Sequence, residues 1–145
     1  MVNPLAGQKV YLDASVLIYA IEVPQLFPML DSYLLEALGK GQLTAVTSWI
    51  TLGEVLVKPL QLKDAVLEKT YREFLTPSAH LEIYPVTHAI IDQAASLRAL
   101  HNFKLPDTIH IATGMITGCT HYLTGDAKWA QTGLQVIDAA SLSSD

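Results

Sequence analysis

The feature that most constrains this chain is an alternation. Short apolar runs rich in Val, Ile, Leu and Tyr recur along it: KVYL (9–12), LTAVT (43–47), LEIYPV (81–86), HYLT (121–124) and LQVID (134–138). None is clearly two-faced, so each needs apolar cover on both sides, the pattern of strands buried in a parallel sheet. The intervening segments read as helices. Ser15–Glu22 is stopped by Pro24, and MLDSYLLEAL (29–38) ends at Gly39 and Gly41. SWITLGEVLV (48–57) has Ser48 or Thr51 as its cap, carries Glu54 and is expected to close at Pro59. Lys63–Leu75 is another helical segment. Thr87 caps His88–His101, whose expected apolar face is Ile90, Ile91, Ala94, Ala95, Leu97 and Leu100. Pro106 opens PDTIHIATGMITG, and Asp126–Gln131 is a short last helix. The alternation predicts an α/β fold in which loops leaving the carboxyl ends of the strands form the ligand crevice.

Size and composition narrow the class. At 145 residues, 1–145 reads as a single domain with room for a sheet covered on both faces. The chain is 50% hydrophobic and 16% charged, yet no run approaches the roughly 18 apolar residues of a membrane helix. The start, MVNPLAGQKVYLD, lacks the form of a secretory signal, so a cytoplasmic protein is expected. The one cysteine, Cys119, allows no intramolecular disulfide and reads as a buried small residue. A net charge of -5 excludes a broadly basic surface for nucleic acid unless a bound cation supplies positive charge locally. The high apolar fraction points to a partner surface, most simply that of a homodimer.

The acids lie where the crevice should be. Asp13 ends the first expected strand, Glu54 lies shortly after the second, and Asp126 follows HYLT after a Thr-Gly turn. Asp107 occupies the first turn of the helix opened by Pro106. Each has a plain alternative: Asp13 and Asp126 as caps or turn residues, Asp107 as a first-turn acid favoured by the helix dipole, Glu54 on an exposed face. Together they could meet at one rim. Clustered carboxylates raise one another's pKa unless a cation sits between them, and oxygen donors select Mg²⁺ or Mn²⁺. One ion, or two about 3.5–4 Å apart, would activate water and stabilise the leaving oxygen of a phosphodiester.

At the same residues the chain resembles the PIN-domain nucleases, the family of many bacterial and archaeal toxin ribonucleases of the VapC type. YLDASVLIYA (11–20) resembles the family's opening strand, with Asp13 as first ligand and Ser15 as a nearby hydroxyl. TSWITLGEVL (47–56) resembles the second motif and carries Glu54, and LPDTIHIAT (105–113) resembles the third and carries Asp107. YLTGDAKW (122–129) resembles the fourth, with Thr124 and Asp126 at the hydroxyl and acid positions and Gly125 where Asn is common. The resemblance spans nearly the whole chain. It implies a three-layer α/β/α sandwich around a mainly parallel five-stranded sheet and metal-dependent cleavage of RNA. Asp13, Glu54, Asp107 and Asp126 would hold metal, with Ser15 and Thr124 orienting carboxylates or water. In many relatives a homodimer is held inactive by a small antitoxin protein.

Other residues are expected to be ordinary. His110, one turn after Asp107, reads as a structural or partly exposed histidine, and Trp129 as a core or dimer-interface aromatic rather than a base-stacking one. Lys58, Lys104 and Lys128 are candidate RNA contacts beside the motifs, as is Arg98, although a solvated charge is the default for each. Two rivals remain: a PIN fold that binds RNA or protein without catalysis, and a receiver-type phosphoacceptor domain. The receiver reading lacks paired acids at the first strand and a lysine after the last.

Overall fold

A computed structural model describes residues 2–142. Five strands form the sheet: β1 (Lys9–Leu12), β2 (Thr44–Ser48), β3 (Leu81–Tyr84), β4 (His121–Thr124) and β5 (Val136–Asp138). Their order is β3-β2-β1-β4-β5 and every pairing is parallel. Alternate residues of the central strands serve opposite faces, as the pleat demands. Val10, Leu12 and Leu123 join one apolar cluster, whereas Tyr11, Val46 and Tyr122 join another. This is the expected three-layer architecture.

The first face is covered by α1 (Ala14–Glu22) and by a helix, α2, over residues 28–39 whose middle, Asp31–Glu36, has π pitch. Behind them come α3 (Trp49–Val55), α4 (Val57–Leu62) and α5 (Ala65–Phe74). The opposite face is covered by α6 (His88–Leu100) and α7 (Leu105–Ile116). Gly114 lets α7 lie close on β4, because a Cβ there would stand 2.3 Å from the Tyr122 ring. No helix among the described residues is long and apolar enough to cross a membrane.

Several boundaries differ from the sequence expectation. Pro59 does not close the helix carrying Glu54 but lies within α4. It interrupts the preceding turn instead: without an N–H it cannot bond the Val55 carbonyl, and the break falls at Leu56 between α3 and α4. A left-handed Lys63 (φ 53°) ends α4. β3 stops at Tyr84 because Pro85 cannot donate to a ladder. On α6 only Ile90, Ala94 and Leu97 are buried; Ile91 and Leu100 are 42% and 77% exposed, so the apolar stripe is narrower than expected. Cys119 is half-buried rather than fully enclosed.

Candidate active site

The sheet order reverses at β1. β2 and β3 extend to one side and β4 and β5 to the other, so the crevice opens at the carboxyl ends of β1 and β4. A cavity of about 330 Å³ lies there, lined by Asp13, Ser15, Tyr19, Glu54, Asp107, His110, Gly125 and Asp126 among others. All four acids singled out in the sequence therefore line one cavity.

Local chemistry places each of them. Asp13 follows β1 in extended conformation and caps α1, its Oδ1 accepting from Ser15 N–H. Its Oδ2 accepts from the Thr124 hydroxyl at the end of the neighbouring β4. Thr124 Oγ1 in turn accepts from Asp126 N–H at 3.0 Å, so one buried threonine joins two acids. Asp126 caps the 3₁₀ helix Ala127–Thr132, and Ser15 Oγ accepts from Gly125 N–H at 3.1 Å. The capping reading and the site reading of Asp13 and Asp126 thus hold together, because a helix that starts at a strand end puts its cap on the crevice rim.

Glu54 is placed by α3, which Ser48 caps by accepting from Ile50 N–H. Its side chain is 37% exposed, and Oε1 is 2.6 Å from Nε2 of His110. His110 was expected to be structural or partly exposed; it is 3% exposed and belongs to the cavity wall. Its Nδ1 is 2.6 Å from the Tyr11 hydroxyl. Sequence could place His110 one turn from Asp107, but no signal in it paired the ring with Glu54. Asp107 enters from the first turn of α7, where Pro106 needs no N–H partner. Half-burial pushes the Asp107 carboxyl above the usual range, and the charges of Asp126, Asp13 and Glu54 push the same way against His110.

These carboxylates surround the cavity without closing on a point. Among the described residues no group of three or more His, Cys, Asp or Glu side chains is arranged to hold a metal ion. Asp13 is turned to its cap and to Thr124, and Glu54 to His110, which satisfies each with the donors at hand. Of the lysines considered, Lys58 is engaged by Glu22 at 2.6 Å, whereas Lys104 and Lys128 are exposed beside the Asp107 and Asp126 segments. Trp129 is completely buried and stands in the core, its ring centroid 6.0 Å from that of His110.

A parallel five-stranded sheet with an acid-lined cavity at its switch point defines an α/β/α class whose ligand crevice lies at the carboxyl ends of the strands, and its strand order is not that of receiver domains, 2-1-3-4-5. The PIN domain family model matches residues 10–134, and the chain belongs to that family. Among solved structures it is similar to a toxin–antitoxin complex from Klebsiella pneumoniae (22% identity, 90% of this chain and 97% of that chain, TM-score 0.67). VapBC2 from Rickettsia felis bound to a promoter DNA fragment is similar over 90% and 98% of the two chains, at 19% identity and TM-score 0.68. VapC20 from Mycobacterium tuberculosis, a sarcin-ricin loop cleaving toxin, is similar over 86% and 95%, at 14% identity and TM-score 0.64. No curated protein matches by sequence.

Proposed function

We propose that the protein is an endoribonuclease that hydrolyses RNA phosphodiester bonds with Mg²⁺ or Mn²⁺, acting in the cytoplasm as the toxin of a toxin–antitoxin pair. The observation that carries this reading is the meeting of Asp13, Glu54, Asp107 and Asp126, from four distant segments, around one cavity at the switch point. The donor set suits a hard cation. It is carboxylate oxygen, and the one ring nitrogen facing it, His110 Nε2, is already engaged by Glu54. The raised Asp107 carboxyl, lifted first by its burial and then by the charges of Asp126, Asp13 and Glu54 against His110, is compatible with that reading. Bound there, one or two divalent ions would supply an activated water and charge stabilisation at the leaving oxygen.

The chain's own residues supply placement. Thr124 and the Ser15 N–H hold the Asp13 carboxylate in one orientation, and Thr124 fixes the Asp126 backbone beside it. Asp107 and Glu54 face them from α7 and α3, with side chains exposed enough to adjust to an ion. The names of the structural relatives support a toxin with an antitoxin partner, and one of them supports RNA as substrate. Exposed apolar side chains on α6 and α7, Ile91, Leu100, Leu105, Met115 and Ile116, support a homodimer.

Cleavage of labelled RNA by the purified chain is the test. Products are expected with Mg²⁺ or Mn²⁺ and none in chelator, while the circular dichroism spectrum stays that of the folded protein, because the buried sheet and not the ion holds the fold. Asp13→Asn should abolish cleavage. RNA that is bound but left intact in Mn²⁺ would select the non-catalytic binding module instead.

A further inference from the structure

We infer that His110 is a positioning residue for Glu54: its ring, anchored on Tyr11, holds the Glu54 carboxylate at the cavity rim with one oxygen free for a cation. The inference rests on the reading of Glu54 as a metal ligand. It begins with the contrast between the two side chains. Glu54 stands 37% exposed on a short helix, with three rotatable side-chain bonds and, among the described residues, no backbone group bonded to its carboxylate. Asp13, in comparison, is fixed by a backbone N–H and a hydroxyl. A flexible ligand must lose its freedom when it binds an ion, so whatever fixes it beforehand raises affinity.

His110 has the rigidity that Glu54 lacks. It is 3% exposed, its ring centroid lies 5.7 Å from that of Tyr11 in an edge-on arrangement, and Trp129 lies 6.0 Å away on tilted planes. Packing beside buried aromatics holds the ring more firmly than the exposed Glu54 side chain is held. The proton assignments follow from the partners. An ionised carboxylate only accepts, so Nε2 carries the proton that bonds Glu54 Oε1 at 2.6 Å. In the neutral ring Nδ1 is then an acceptor, filled by the Tyr11 O–H at 2.6 Å. The chain Tyr11 O–H, Nδ1, Nε2–H, Oε1 therefore runs one way, from the core to the rim. Oε2 of Glu54 accepts no hydrogen bond among the described residues.

The two amide substitutions separate positioning from packing, because Gln places a nitrogen near the site of Nε2 and Asn near that of Nδ1. Mn²⁺ affinity, read from the free-ion paramagnetic resonance signal, is compared in the parent, His110→Asn, His110→Gln and Glu54→Gln. His110→Asn is expected to weaken Mn²⁺ binding about 10–100-fold. His110→Gln should stay near the parent, and His110→Asn should cost nothing further in the Glu54→Gln background. Parent-like affinity in His110→Asn, equal losses in the Asn and Gln variants, or the same loss without Glu54 would each overturn the inference while leaving the metal reading intact. A parent that binds Mn²⁺ no better than Asp13→Asn would sink the metal reading, and the inference with it. Nitrogen-15 spectra of the unsubstituted protein give a check that needs no variant to fold: the neutral His110 ring should carry its proton on Nε2, and a proton on Nδ1 alone would overturn the assignment.

Discussion

Asp107 stands under opposing influences. The first turn of α7 favours a carboxylate through the helix dipole, yet half-burial and the charges of Asp126, Asp13 and Glu54 lift its pKa above the ordinary value. A carboxyl whose pKa is raised on folding contributes most below the unfolded value, about 3.9, and loses that contribution as pH rises through the folded value. At neutral pH the ionised Asp107 therefore opposes folding. Asp107→Asn is expected to raise Tm at pH 7 in chelator by on the order of 1–3 °C, with a smaller difference at pH 4. In saturating Mn²⁺ the order should reverse, because only the parent gains fully from the bound ion. Thermal melts at the two pH values decide it; a variant less stable than the parent at pH 7 in chelator would show that the dipole dominates. The same residue shows what sequence can convey. Its type and place beside Pro106 were legible, and so were the cap roles of Asp13 and Asp126. The partner of His110 was not, since Glu54 lies 56 residues away and only the packed fold brings the two together.

Between elements, the exit of β4 and the helix α1 meet at Gly125. A Cβ there would stand 2.6 Å from Cε2 and 2.7 Å from the hydroxyl of Tyr19, so the glycine leaves room for a ring that lines the cavity. Tyr19 is itself stacked on Phe27, with centroids 4.2 Å apart and planes within 4°. Gly125 is not among the residues with positive φ, so the demand is space and not backbone conformation. Gly125→Ala should push Tyr19 off Phe27 and cost about 0.5–1.5 kcal/mol, the worth of an aromatic pair. In a Tyr19→Ala background the same change should be close to neutral, and an equal cost in both backgrounds in denaturant melts would refute the explanation. The sequence marked Gly125 as a departure from its family's pattern but gave no reason, because the ring that needs the space comes from α1. Elements set by local chemistry were more legible. The apolar runs gave the strands, and Ser48 and Thr87 gave helix starts whose caps are present. Pro59 was misplaced in its effect because a proline disrupts the turn before it as readily as it ends a helix.

At the scale of the whole molecule, the proposed activity requires a chain of net charge -5 with nine Lys and Arg residues to hold a polyanion. Most of those cations are already engaged. Lys40, Lys58, Lys69 and Arg72 pair with Glu36, Glu22, Glu73 and Glu68, and Lys9 donates to the Thr117 carbonyl. Among the described residues this leaves Lys63, Arg98, Lys104 and Lys128 outside such pairs. Lys104 immediately precedes α7, which carries Asp107, and Lys128 lies two residues after Asp126, so these two are the unpaired cations nearest in sequence to residues that line the cavity. Each phosphate neutralised on a single strand contributes about -0.7 to the slope of log affinity against log salt, so two contacts give about -1.4, a shallow dependence for a nucleic-acid-binding protein. Lys104→Glu with Lys128→Glu should weaken RNA binding and flatten the slope toward zero. Mn²⁺ affinity should hold or rise slightly, since the added carboxylates deepen the negative potential at the cavity. Anisotropy of labelled RNA across a salt series in chelator, where nothing is cut, measures the first effect, and a separate Mn²⁺ titration measures the second. RNA affinity and slope unchanged from the parent would make both lysines ordinary surface charges, and guidance of the strand would then have to come from the bound cation.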